Sequence, residues 1–188
     1  MGILDKFRPP DFGKETYKAY PIVLVRLVVG VAMFFAGFEK LIYPYWHASG
    51  AAWSSAGFLK NVAGGGIFHD WFVSQAGNGA IAPLVIWGEI LIGIALIIGL
   101  LVRFSSVMGI ILMGLIWLTE YMKYSGGVIN TGTFGWGWNP GPISESFLFV
   151  LLFAIFMWTA AGLMYGLDKY VHELSIVKKY PWLKILFG

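Results

Sequence analysis

The stretch IAPLVIWGEILIGIALIIGLLVRFSSVMGIILMGLIWL, residues Ile81 to Leu118, decides the fold. A helix needs about 20 predominantly apolar residues to cross a hydrocarbon core of about 30 Å. This run holds enough for two crossings, and Glu89 and Arg103 are its only charged residues. It predicts spans over about 81–102 and 104–122, joined by the tight link Val102-Arg103-Phe104 into an antiparallel helical hairpin. Two further apolar stretches flank it, at about 22–42 and 146–166. All four are apolar on every side, which excludes amphipathic helices of a soluble domain. The expected fold is all-α: one integral membrane domain built as a four-helix transmembrane bundle.

Composition points the same way. Of the 188 residues 58% are hydrophobic and 12% are charged, against about a quarter charged in soluble domains. Mean hydropathy is +0.73. The formal net charge of +3 is too small and too dispersed to suggest a nucleic-acid partner. It reads instead as a topology signal, because Lys and Arg collect on the cytoplasmic side. Lys6, Arg8, Lys14 and Lys18 precede the first span, Arg103 sits in the short link, and Lys169, Lys178, Lys179 and Lys184 follow the fourth. The opposite side holds Lys40, Lys60 and Lys123. The expected arrangement is a multi-pass protein of the cell membrane with both termini cytoplasmic and outward loops over 43–80 and 123–145. The polar first twenty residues lack the apolar core of a cleavable signal peptide.

The chain has no cysteine, which excludes disulfides, a thiolate nucleophile and thiolate-held metal clusters. No span contains a histidine, so no metal or haem is expected on this chain. Small residues recur in the spans: Gly30, Ala36, Gly37, Gly88, Gly93, Gly109, Gly114, and the GxxxG pair Gly162 and Gly166. In lipid such residues let helix backbones approach closely, and packing within the chain is the simpler use of them. The first loop carries Trp46, His47, Trp53, His69 and Trp71, with a short helix expected near Trp53 to Val62. The second reads Thr133-Phe134-Gly135-Trp136-Gly137-Trp138-Asn139-Pro140-Gly141-Pro142. Its tryptophans suit either headgroup-depth anchoring or a cap over a pocket. The tail, 167–188, alternates basic and apolar residues like an interfacial helix.

Ionisable groups inside a span are functional candidates by default, since an unpaired charge at the span centre costs about 2.5–3.5 kcal/mol. Glu89 lies about eight residues into the second span, roughly 12 Å deep at 1.5 Å per residue. It has to be protonated, paired or in contact with a wet pocket. Lys40, at the end of the first span, is the best placed partner. The pair is either an ion-pair clamp or part of an outer polar pocket, where Glu89 handles protons while Lys40 attracts an anion or hydrogen-bonds a quinone carbonyl. Glu145 is expected to complete that pocket, with Trp46, His47 and Trp87 at its mouth. Arg26, one turn inside the first span, either snorkels or organises the inner end.

Several local patterns resemble DoxX/DoxD-like membrane proteins. They are Arg26-Leu27-Val28-Val29-Gly30, Phe34-Phe35-Ala36-Gly37-Phe38-Glu39-Lys40-Leu41, Trp87-Gly88-Glu89 through Val102-Arg103-Phe104, and Tyr165-Gly166-Leu167-Asp168. The last is similar to the fourth-span exit of the DoxD branch, and Glu145 fits the acidic residue where the fourth span begins. That resemblance implies the membrane subunit of a thiosulfate:quinone oxidoreductase, with quinone as electron acceptor and a single-span DoxA-like partner subunit. The wider family includes proteins without an assigned activity, so a non-catalytic scaffold or accessory subunit of a terminal oxidase stands as the alternative. A transporter is disfavoured by the lack of an internal repeat or broken helix.

Overall fold

A computed structural model describes residues 20–61, 68–125 and 143–187, and those residues are helical with no strand among them. Four helices carry the bundle: α1 (Tyr20–Trp46), α4 (Ile81–Ile98), α5 (Val102–Ser125) and α6 (Glu145–Thr159). Between α1 and α4 lie two short helices, α2 (Ala56–Asn61) and α3 (His69–Ser74), followed by a 3-10 turn at Gln75–Gly77. After α6 come α7 (Asp168–Val171), α8 (Ser175–Lys179) and a 3-10 turn at Pro181–Ile185.

Three helices are long and apolar enough to span a membrane: Tyr20–Trp46, Ile81–Ile98 and the Val102–Thr119 part of α5. The fourth expected stretch holds a shorter apolar helix than the sequence predicts. Instead of running to Gly166, α6 stops after 15 residues at Thr159, where Ala160 turns left-handed with φ of 51°. Fifteen residues reach about 22 Å, and the chain continues through turns from Ala160 to Leu167. The second span also ends early. Gly99 takes φ of +69° and closes α4, so the link is Gly99 to Leu101 and Arg103 lies in the first turn of α5. The tail is not one interfacial helix: α7, α8 and the last 3-10 turn fold back under the bundle. There Phe104 N–H donates to the Leu186 carbonyl at 3.2 Å, and Val177 is buried.

The bundle is two antiparallel pairs. α1 packs along α4 with backbones nearly touching. A Cβ built on Gly93 would lie 2.5 Å from the Phe34 nitrogen, and one on Gly37 would lie 2.7 Å from the Ile86 carbonyl. Close approach of this kind replaces the missing hydrophobic drive in lipid. α5 packs along α6, with the Phe153 ring over Gly109 and Phe147 against Trp117 at 5.4 Å. α6 therefore runs beside the same stretch of α5 that forms the third candidate span. Ser144 caps its start, accepting from the Phe147 N–H at 3.4 Å. Val29, Met33, Ile92, Leu96, Val102, Met113, Phe153 and Phe156 join the two pairs in one core. A second, smaller core of Leu59, Phe72 and Ala76 packs with Ile81 and Leu118, and fixes α2 and α3 over one end of the bundle. The short helix expected near Trp53 is α2. The amino-terminal lysines and arginine, the glycines of 64–66 and the tryptophan-rich 133–142 motif lie outside the described residues.

Candidate functional site

Charged groups gather at the two ends of the bundle. Arg26 and Lys40 mark these ends on α1, roughly 21 Å apart at 1.5 Å per residue.

At the Lys40 end, Glu89 is 3% exposed and Lys40 is 24% exposed, and Lys40 Nζ donates to Glu89 Oε2 at 2.6 Å. The same ammonium donates to the Ala36 carbonyl at 3.1 Å and sits 5.6 Å from the centre of the Trp53 ring. Antiparallel packing puts the two residues side by side, and Gly37 permits the approach. Pro44, one turn beyond Lys40, has no N–H to give to the Lys40 carbonyl and loosens the last turn of α1. Beside the pair opens a cleft of about 620 Å³ lined by Ala32, Phe35, Ala36, Glu39, Lys40, Tyr43, Trp46 and Trp53. Seven of these lie on α1 at helical spacing, and Trp53 closes over them from the loop before α2.

The structure thus brings Lys40, Glu89 and Trp46 together. His47 stands next to the cleft, its ring stacked on Tyr43 at 4.4 Å and its Nδ1 2.9 Å from Ser49 Oγ. Trp87 is 52% exposed and is not among the lining residues. Two positions from Glu89 on a helix is about 200° of rotation, so the two side chains leave α4 on different sides. Glu145 opens α6, exposed to the surroundings. The Lys40–Glu89 bond forms without it. The side chains of Glu120, Lys123 and His69 lie outside the described set.

Arg26 belongs to the other end and does not snorkel. It is 1% exposed. Its Nη1 donates to the Ala161 carbonyl and, at 3.2 Å, to the Met164 carbonyl, which closes the end of α6. Beside it is a residue that the sequence reading left without a role. Asp168 is wholly buried, and its carboxylate accepts from the Leu101 N–H at 2.7 Å and the Val102 N–H at 3.1 Å. It caps the start of α5, where a negative charge is favoured. Its own N–H donates to the Gly99 carbonyl at 2.9 Å. Leu101, Ala160 and Tyr165 all hold positive φ at this end, between 51° and 55°. Such strain persists only where neighbours over-determine it, and the Arg26 and Asp168 bonds do that here. Gly99 and Gly166 meet backbone to backbone: a Cβ on Gly99 would lie 2.5 Å from the Gly166 Cα. The GxxxG pair therefore serves a turn-to-turn contact, not a helix face. Arg103 is buried in the same cluster and donates to the Phe187 carbonyl at 3.3 Å. Burial holds the His172 imidazole below the ordinary histidine value, against the pull of Asp168. No local signal marks this clasp: Asp168 follows Gly166 by two residues and opens what looks like a solvated tail.

The arrangement divides the labour. The Arg26 end is a structural clasp whose Arg26 and Asp168 bonds fix turns, while the Lys40 end offers space, aromatic walls and an ion pair. The DoxX family model matches residues 22–122, more than half of the chain. This stretch carries Arg26, Lys40, Glu89 and the whole cleft. No curated protein and no solved structure gives a significant match. The chain is a membrane protein of the DoxX family.

Proposed function

We propose that this protein is the DoxD-like membrane subunit of a respiratory oxidoreductase that oxidises thiosulfate to tetrathionate with a membrane quinone as acceptor. The observation that carries the reading is the Lys40–Glu89 pair at 2.6 Å beside an aromatic-walled cleft of about 620 Å³. A quinone head needs an apolar slot, a cation or hydrogen-bond donor for a carbonyl, and a proton source. Phe35, Tyr43, Trp46 and Trp53 supply the first, the Lys40 ammonium the second, and the proton shared between Lys40 and Glu89 the third. Two thiosulfates joined as tetrathionate release two electrons, and the quinone takes up two electrons and two protons to become quinol. A DoxA-like partner subunit would complete the complex.

In this reading the chain crosses the cell membrane four times, with both termini cytoplasmic and the Lys40 end outward. Support comes from α6, whose 15 residues lie along the Val102–Thr119 part of α5, and from the turns after it, which reach the level of Arg26 and Gly99. The Lys and Arg bias supports the direction.

The test is thiosulfate-dependent quinone reduction in membranes carrying wild type, Lys40→Met or Glu89→Gln. Both variants should lose turnover while remaining in the membrane. Normal turnover in both removes the pair from the mechanism. The closed ion pair also favours a second reading, an accessory scaffold in which Lys40 and Glu89 only clamp α1 to α4. A stable multi-subunit complex without substrate turnover would support that reading.

A further inference from the structure

The sequence leaves open whether Lys40 attracts an anion or a neutral carbonyl, and the charges around the cleft decide between them. Lys40 is already neutralised by Glu89 at 2.6 Å. Glu39 stands exposed on the cleft wall one residue away. Among the described residues, one ammonium against two carboxylates leaves the site net negative. The other lining residues, Ala32, Phe35, Ala36, Tyr43, Trp46 and Trp53, carry no formal charge. Of the three ammonium N–H groups, one goes to the Ala36 carbonyl and one to Glu89. The third is left on the side of the Trp53 ring and the cleft, enough for one carbonyl oxygen.

The far end of the cleft is equally informative. Ala32 and Ala36, four residues apart, form a floor without bulk, and Phe35 beside them is 59% exposed on the face of a membrane-spanning helix. A ligand with a long apolar tail can lie along that floor and leave toward the acyl chains.

Resting on the quinone reading above, we infer that the cleft is an anion-excluding site, open to lipid at its Ala32 end, for a neutral carbonyl-bearing molecule. The sulfur anion does not enter it. Thiosulfate, a dianion, meets net negative charge at the head of the site and an apolar floor behind it. Its oxidation takes place on another surface of the complex, and only electrons reach the cleft.

The test uses the purified chain in lipid nanodiscs and follows quenching of tryptophan fluorescence by decylubiquinone. Wild type should quench saturably, and thiosulfate at matched ionic strength should leave the curve unchanged. Ala32→Leu, at an exposed floor position, should raise the half-saturating concentration severalfold. Glu39→Lys turns the net negative site net positive and should make thiosulfate a competitor. Thiosulfate competing against wild type, or Ala32→Leu and Glu39→Lys both behaving like wild type, overturns this inference and leaves quinone binding standing. No saturable quenching in wild type overturns the quinone reading itself, and this inference with it.

Discussion

Replacing Asp168 by asparagine should loosen the Arg26 end of the bundle more than any other single polar change. The carboxylate is wholly buried, with Arg26 and Arg103 buried near it, and it accepts from two backbone N–H groups, of Leu101 and Val102. An amide keeps the shape, but its NH2 faces an N–H and cannot accept. One N-cap bond is lost, at about 0.5–2 kcal/mol, and two buried guanidinium groups lose their compensating charge. Removing one partner of a buried ion pair costs about 3–5 kcal/mol, which sets the scale for the whole change. For a chain of this size about 1 kcal/mol moves a melting temperature by about 2–4 °C. The expected drop is therefore roughly 6–20 °C. The assay is apparent melting temperature in detergent, read as the loss of the monodisperse peak after heating. Glu173→Gln, an exposed acid on the same tail, is the control and should stay within about 0.5 kcal/mol of wild type. A shift below about 2 °C for Asp168→Asn would refute the reasoning, because the carboxylate would then hold nothing together.

Four further outcomes follow from the geometry. Gly93→Ala places a methyl 2.5 Å from the Phe34 backbone nitrogen, and overpacking of this kind costs about 1–3 kcal/mol. Gly114→Ala meets open space and should gain about 1 kcal/mol from helix propensity; both are read from melting temperatures in one detergent. His172 has a folded pKa below its ordinary 6.5, through burial and through Lys184 and Arg103, opposed by Asp168 and the Phe187 backbone. Between the two values the unfolded chain binds a proton that the folded chain refuses. Its contribution is complete above pH 6.5 and declines as pH falls through the window beneath. Melting temperature against pH should show this slope in wild type and lose it in His172→Gln. Glu89→Gln keeps the shape of the acid but leaves Lys40 without its counter-charge, so it should abolish turnover while the chain still inserts and stays monodisperse.

The long helices and the Lys40–Glu89 contact were legible in the sequence because each follows from a local rule. Continuous apolarity writes the spans, and an acid sunk in the second span demands a cation on its neighbour. Gly37 and Gly93 were legible as close-approach positions for the same reason. The clasp was not. Asp168 follows the fourth apolar run and looks like the first residue of a solvated tail. Its burial depends on the 99–101 turn and the 160–167 turn meeting across the bundle, and no local pattern encodes a contact between residues so far apart in the chain. The end of α6 was hidden because Ala160 to Tyr165 are as apolar as the helix before them, so hydropathy runs on through a backbone that has already turned. Trp87 was placed near Glu89 by sequence proximity, where helical rotation separates the two.

The proposed function requires that the Lys40–Glu89 cleft on α1 receive the head of a lipid-borne quinone. The most direct measurement is photo-crosslinking of an azido-quinone to the protein in native membranes, followed by peptide mapping. Label is expected on the segment from Ala32 to Trp53, displaced by unlabelled quinone and absent in Lys40→Met. Displaceable label confined to α5 and α6, with the α1 segment untouched, would contradict it.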